Sequence, residues 1–181
     1  MIACACDEIV MAKHSAIGPT DPQIVLPRIN RAVFALPAQA YLDEFNLAKH
    51  DISADPKTAA VWLQKLQEIP PGFLQMCTDT IERAKSTVEN WLIKYMKLEK
   101  ENAHAISEWL GKSNNHKAHG KPIDAATAIS KGLRVTMLEN DSAMQDLVLS
   151  VFHALMLTFQ NTPCGKLVEN HNGRGLYTRF Q

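Results

Sequence analysis

The segment Gly18 to Pro22, which reads Gly-Pro-Thr-Asp-Pro, constrains the fold of this 181-residue chain more than any other. Pro19 and Pro22 lack the backbone N–H that a helix interior requires, and each disfavours the helical conformation in the residue before it. The segment therefore predicts a rigid, extended loop near the start of the chain.

The residues before this loop predict a close succession of short elements. Met1 to Cys6 alternates large and very small side chains, which is typical of the buried end of a helix that another backbone approaches closely. Ile9 to Ala12 is a short apolar run with two β-branched residues, as in a strand buried on both faces of a parallel sheet. A polar turn at 13–15 and an extended pair at 16–17 then lead into the loop.

Three stretches carry a resemblance to a known family. Residues 7–23, DEIVMAKHSAIGPTDPQ, closely resemble the serine dehydrogenase proteinases, relatives of the signal peptide peptidases in the Clp-protease/crotonase superfamily. Similar stretches follow at 117–133, KAHGKPIDAATAISKGL, and at 165–173, GKLVENHNG. The resemblance implies an α/β class and a partial Clp/crotonase-like fold, with a short parallel β core followed mostly by α-helix. Residues 1–181 would form the C-terminal portion of one protease domain, strand-rich over 1–36 and mainly helical over 37–181.

The activity that this resemblance implies is that of a serine-type endopeptidase acting through an acyl-enzyme. In the family the matching stretch directly follows a small-Gly-Thr-Met segment, whose Ser at the start of a helix looks like the nucleophile. This chain begins at that Met, so we expect the nucleophile, the oxyanion hole and the preceding strands to be missing and the chain as printed to be inactive. Two alternatives are a non-catalytic remnant that keeps oligomer-forming helices and a crotonase-type acyl-CoA enzyme. The second is disfavoured because the backbone amides for its thioester oxygen would also lie upstream.

Three residues are candidates for acid–base catalysis: Asp21, His14 and His119. Relatives in the wider superfamily carry a catalytic base just after the nucleophile-bearing helix, and Asp21 occupies about that position. A turn former that accepts backbone hydrogen bonds explains Asp21 equally well. A Ser–Lys arrangement, as in the signal peptide peptidases, would instead need Lys49 or Lys121. His119 lies in a polar loop, where we expect it to be solvent-exposed.

The serines and cysteines of the printed chain do not form a recognisable catalytic or metal site. Ser15 comes nearest to a nucleophile, but its surroundings favour a turn residue. Cys4 and Cys6 would point about 200° apart on a helix, so a zinc site with His14 requires that Met1 to Cys6 be extended. We expect the cysteines to act as small buried hydrophobic residues, and we expect no cofactor or metal.

The remaining chain predicts mostly helix. Helices are expected from Pro37 to about 51, from Asp55-Pro56, from Phe73 to about 100 with a continuation or restart over 101–110, over 125–131 behind the N-cap Asp124, and from Asp141-Ser142 to about 158. In the last helix we expect seven apolar side chains to face inward: Met144, Leu147, Val148, Val151, Phe152, Leu155 and Phe159. Residues 25–36 predict extended chain, 133–135 and 166–168 predict strands, 112–120 predicts a mobile loop, and the tail from Arg174 is expected to be loosely held.

Charge and hydropathy narrow the range of partners and locations. The formal net charge is zero and no block of like charges occurs, which argues against a nucleic acid or an anionic membrane surface as the main target. No uninterrupted apolar run reaches the roughly 18 to 20 residues of a membrane span. We therefore expect a cytoplasmic protein, membrane-associated in its full-length form only through upstream residues. Its expected partners are a protein or peptide substrate and further copies of itself, with Trp91 and Tyr95 as contact residues.

Overall fold

The structure is a computed structural model that describes residues 1–27, 33–112 and 122–179, without the side chains of residues 26, 27, 33 and 34. The chain divides into two compact units, Met1–Thr136 and Met137–Gln181. The expectation that residues 1–181 belong to a single protease domain stays a prediction.

The first unit contains short strands and five α-helices among its described residues. Its elements are a 3₁₀ turn Ile2–Ala5, β1 Ile9–Met11, β2 Gln23–Pro27, β3 Val33–Pro37, α1 Ala38–Ala54, a 3₁₀ turn Pro56–Thr58, α2 Ala59–Leu66, α3 Phe73–Lys94, α4 Lys100–Gly111, α5 Ala125–Ser130 and β4 Val135–Met137, which ends at the unit boundary. The second unit contains a 3₁₀ turn Leu138–Asn140, α6 Ser142–Asn161, β5 Cys164–Glu169 and β6 Gly175–Arg179.

The predicted α/β class is confirmed in coarse form, because the chain is mixed α/β with a short parallel sheet. This sheet pairs β1 with β4, and the N–H of Ile9 donates to the carbonyl of Arg134 at 2.9 Å. The two other sheets are antiparallel pairs, β2 with β3 and β5 with β6. Among the described residues, parallel pairing is therefore confined to two strands.

The core of the first unit lies around α3, which packs against α1 and α4. The helical spacing of residues 73–100 predicts an apolar stripe of Met76, Ile81, Ala84, Val88, Trp91, Leu92, Tyr95 and Met96. Ile81, Val88, Leu92 and, just beyond α3, Met96 are buried, whereas Met76 is 44% exposed. At the other end of α3, Phe73 meets Tyr41 of α1 in a T-shaped ring contact with centroids 4.9 Å apart. The helical periodicity of this segment therefore predicted its buried side correctly except at Met76.

The long helical pattern is interrupted where α3 ends. Lys97 has a positive φ of 56°, and the N–H of Leu98 reaches back to the carbonyl of Leu92 at 3.2 Å. A residue in the left-handed region cannot continue an α-helix, so the chain turns here and α4 restarts at Lys100. The turn lets α4 run back along α3.

The predicted helix caps are confirmed where a side chain or a glycine acts locally. The carboxylates of Asp124 and Asp141 accept from the N–H groups of Thr127 and Met144, at 2.7 and 3.0 Å. Gly132, which as a glycine directly after residues 125–131 predicts the end of that helix, has a φ of 91°. Pro37 is a correction, because it is the N-cap residue with an extended ψ of 136° and not the first helical residue. Its backbone still pairs with β2.

The second unit contradicts two expectations. No residue of α6 is buried, so the seven apolar side chains expected to face inward are not covered. The tail from Arg174 is not loose over 175–179, because these residues form β6 on β5, with Leu167 paired to Tyr177. The dipeptide Asn172-Gly173 predicts a turn, and the structure has a turn there, with a φ of 69° at Gly173.

Two further expectations can be compared with the structure only in part. The predicted mobile loop 112–120 lies outside the described residues from 113 onward, as do residues 28–32 of the predicted extended segment. α6 is the helix within the described ranges that is long and apolar enough to cross a membrane, judged by length and composition. A cytoplasmic location is therefore not established.

Candidate functional site

The loop Gly18 to Pro22 is held in place by backbone hydrogen bonds to three other parts of the first unit. These are the paired bonds between Ile17 and Ile123 at 3.0 and 2.9 Å, the bond from the N–H of Thr20 to the carbonyl of Leu110 at 2.9 Å, and the bond from the N–H of Ala38 to the carbonyl of Pro22 at 2.9 Å. Anchoring on both sides of Asp21 agrees with the rigid, extended loop predicted from its prolines.

Asp21 is buried by this loop, with 4% of its surface exposed. The side-chain amide of Gln23 donates to its Oδ2 atom at 2.9 Å. A buried carboxylate must have hydrogen-bonding partners to offset the loss of water, and the amide fixes the orientation of this one. Asp21 therefore combines the two properties expected of a positioned acid–base group, a fixed geometry and a protected environment.

Thr20 is a candidate site residue that the sequence did not reveal. It is 5% exposed, and its Oγ1 atom has no hydrogen-bond partner within the part of the chain that the structure describes. Burying an unsatisfied hydroxyl costs about 1 to 3 kcal/mol. Because this cost must be offset elsewhere, we regard Thr20, directly beside Asp21, as a candidate for a functional role.

A cavity of about 440 Å³ connects this loop with the N-terminal 3₁₀ turn. Its lining consists of Met1, Ile2, Ala3, Cys4, Ile17, Gly18, Thr20 and Leu110. Burial raises the pKa of the Cys4 thiol, so the thiol stays protonated at neutral pH and is a poor nucleophile. The cavity is thus an apolar site with one hydroxyl residue in its lining.

Asp21 does not line this cavity itself but directly follows Thr20, which does. The other sequence candidates within the described residues do not line it either. His14 is exposed in the turn after β1. Ser15 is a turn residue as predicted, because its Oγ accepts from the N–H of Ala12 at 3.0 Å. Lys49 is exposed on α1, with its Nζ atom 5.9 Å from the centre of the Phe45 ring. His119 and Lys121 lie outside the described residues.

The residues do not supply the zinc site considered above. That alternative required an extended Met1 to Cys6, but Ile2–Ala5 is a 3₁₀ turn, which leaves Cys4 buried and Cys6 exposed. Over the described ranges 1–27, 33–112 and 122–179, no three His, Cys, Asp or Glu residues are grouped so that they could hold a metal ion.

Comparison of the chain with family models, with curated proteins and with solved structures gives no match in any of the three. The case for a function therefore rests on the loop, the cavity and the sequence resemblance.

Proposed function

We propose that this chain is part of a serine-type endopeptidase of the Clp/crotonase superfamily, with Asp21 as its acid–base or positioning carboxylate. The observation that supports it is the shared cavity of the N-terminal 3₁₀ turn and Thr20, the neighbour of Asp21. The resemblance puts the nucleophilic serine in the small-Gly-Thr-Met segment, a few residues before Met1. A serine there would lie at the mouth of the cavity to which the Asp21 loop also leads.

In this reaction the serine hydroxyl attacks the carbonyl carbon of a peptide bond and forms a tetrahedral intermediate. The C–N bond then breaks, the amine leaves with the proton given up by the serine, and an ester remains. Water hydrolyses the ester, which releases the acid and restores the serine. Asp21 would accept the proton or orient the group that does, and its bond from Gln23 would keep it aligned.

The lining of the cavity suggests which substrate side chain it would take. Apart from Thr20, the cavity is walled by apolar or small residues, among them Ile17 and Leu110. An apolar side chain next to the cleaved bond would be desolvated there at no cost, whereas a charged one would lose its water without a partner. The proposed substrate is therefore a peptide with an apolar residue at this position.

Labelling with a fluorophosphonate tests the proposal. The 181-residue chain is expected to remain unlabelled, while a protein extended by the residues encoded upstream is expected to be labelled at a serine before Met1. In the extended protein, Asp21→Asn should slow labelling roughly 100-fold or more. Asp124→Asn, a change of the same kind at the α5 cap, is the control and should leave the rate unchanged. Labelling of a serine within the 181 residues would contradict the proposal.

A non-catalytic assembly subunit is the second candidate, and the exposed apolar side of α6 favours it. Two measurements distinguish this candidate from the peptidase. For an assembly subunit, Asp21→Asn would affect only stability, and the extended protein would not be labelled. For either candidate we propose a cytoplasmic location, because all four cysteines are free, as expected in a reducing compartment.

A further inference from the structure

The second unit exposes a regular apolar stripe along α6. The α6 stripe consists of Met144, Val148, Val151, Phe152, Leu155 and Phe159, which lie within an arc of about 100° at 100° per residue. Five of the six side chains are 41% to 61% exposed, and Leu155 is half-buried. Four apolar side chains of α6 outside this arc are exposed as well: Leu147, Leu149, Met156 and Leu157. The stripe is the arc in which apolar side chains are densest, and such an exposed apolar surface normally packs against another surface.

A membrane does not suit this helix, although its length and composition allow a span. The part of α6 without Asp, Glu, Lys or Arg, residues 147–161, covers only about 22 Å at 1.5 Å per residue, whereas a hydrocarbon core is about 30 Å thick. Asp146, His153 and Gln160 lie on the side opposite the stripe. The helix contains no Lys or Arg, which a helix lying on an anionic membrane surface would need. The stripe therefore fits a protein partner.

The spacing of the stripe is the same when it is read from either end, with steps of 4, 3, 1, 3 and 4 residues. Two antiparallel copies of α6 would thus bring Met144 opposite Phe159, Val148 opposite Leu155, and Val151 opposite Phe152. Such self-complementarity is what a two-fold symmetric interface requires, because each contact must occur twice. We propose that α6 is a dimerisation surface on which two copies of this chain pair antiparallel, about an axis between Val151 and Phe152.

The charges at the ends of α6 agree with this arrangement. Asp141 caps the N-terminal end, and Arg179 lines a cavity of about 260 Å³ together with Thr158 and Thr162 at the C-terminal end. In the proposed register Asp141 of one copy faces Thr162 of the other, and Thr162 lines the same cavity as Arg179. The negative charge of Asp141 and the positive charge of Arg179 therefore approach each other at both ends. The two helix dipoles also run in opposite directions, which is the favourable orientation.

The contact would be small. Two helices about 30 Å long form an interface at the low end of the range for specific complexes, below about 1,200 Å² in total. We therefore expect a dimer that dissociates on dilution through the micromolar range. The inference uses the second unit alone, so it does not depend on the proposed function.

Sedimentation velocity over a series of concentrations tests the surface. Val151→Glu puts a carboxylate at the centre of the contact twice and should weaken dimerisation at least tenfold, as at a buried hot spot. Leu157→Glu is the matched control, because Leu157 lies on another side of α6 and is 57% exposed, against 61% for Val151. The control should keep the wild-type dissociation constant. Circular dichroism would check that both variants retain their helix content.

Disulfide cross-linking tests the orientation without a destabilising charge. In a background with Cys6→Ser and Cys164→Ser, a mixture of Val148→Cys and Leu155→Cys chains should give a 148–155 disulfide, which peptide mass spectrometry identifies. Val148→Cys alone should cross-link poorly, because two copies of that residue would be about 10 Å apart along the axis. This result is decisive even if Val151→Glu does not fold.

Four outcomes would overturn the inference. They are a wild-type monomer at every concentration, an equal loss of dimer in Val151→Glu and Leu157→Glu, a preferred 148–148 disulfide, and flotation of the wild-type chain with phosphatidylcholine vesicles. The third would mean parallel pairing and the fourth a lipid partner.

Discussion

Thr20 and Ser107 are both buried hydroxyl residues, but only one of them has a hydrogen-bond partner in the described chain. The Oγ atom of Ser107 donates to the carbonyl of His104 at 2.9 Å, whereas Thr20 Oγ1 has none. Removing the hydroxyl should therefore change the free energy of unfolding in opposite directions at the two positions.

Thr20→Val replaces the hydroxyl by a methyl group of similar shape and should stabilise the protein by about 1 kcal/mol, because it removes an unsatisfied buried polar atom. Ser107→Ala should destabilise it by about 0.5 to 1.5 kcal/mol. Urea unfolding followed by circular dichroism measures both. A loss of stability in Thr20→Val would show that the hydroxyl has a partner, and would remove the reason for singling this residue out.

Glu108 is the carboxylate for which the structure predicts a pH effect. A hydrogen bond from Lys85, at 2.7 Å, and a second from Lys112, at 3.1 Å, lower the pKa of Glu108. A carboxyl group whose pKa is lowered by folding stabilises the protein above its unfolded pKa. That contribution disappears as the pH falls through the folded pKa.

Glu108→Gln should therefore lower the free energy of unfolding by about 0.5 to 1 kcal/mol at pH 7, a modest amount because water screens these partly exposed groups. Once the pH has fallen through the lowered pKa of Glu108, the variant and the wild type should become equal. Glu44→Gln is the control, since the pair of Glu44 with Lys65 is more exposed and should contribute little at either pH. A difference that persists unchanged in acid would mean that Glu108 acts through packing.

Part of the candidate site could be predicted from single residues. The prolines around Asp21 fix the backbone locally, so the rigid loop was predictable. The burial of Asp21 and the unsatisfied Thr20 were not, because both depend on Leu110 and Ile123, which approach the loop from distant parts of the sequence. His14 was a candidate for acid–base catalysis together with Asp21, but it lies exposed in the turn after β1.

At the scale of elements, signals that act within a few residues predicted the structure well. Asp124, Asp141 and Gly132 each cap a helix through their own side chain or backbone. The break after Tyr95 carried no such signal, since the left-handed residue there is Lys97 and not a glycine. β6 was missed for a related reason, because a strand at the end of a chain depends on its partner, here β5.

Periodicity predicted which side of a helix is apolar, but not what covers it. The apolar stripe of α3 is buried by α1 and α4, whereas the equally regular stripe of α6 is exposed. The run Ile9 to Ala12 was expected to be buried on both faces of a sheet, and Ile9 of β1 is indeed only 7% exposed. Val10, on the other face of the same strand, is 51% exposed.

At the scale of the whole molecule, burial is distributed very unevenly. Within the described residues, every buried hydrophobic side chain belongs to the first unit except Leu138. α6 contacts only β5 and the 3₁₀ turn Leu138–Asn140 to any extent among the described elements, and a helix with so few tertiary contacts is only marginally stable in water, even at 20 residues. The stability of α6 should therefore depend on whatever covers its stripe.

Hydrogen exchange should accordingly distinguish the two units by their response to protein concentration. α3 is buried within its own chain, so its amide protection should be the same at two concentrations about a hundredfold apart. Amides of residues 142–161 should exchange rapidly in the dilute sample and become protected in the concentrated one, because mass action populates the dimer. In Val151→Glu the same amides should exchange rapidly at both concentrations, while Leu157→Glu should behave as the wild type. Strong protection of α6 in the dilute sample would contradict this prediction, because it would mean that the chain covers the stripe itself and needs no second copy.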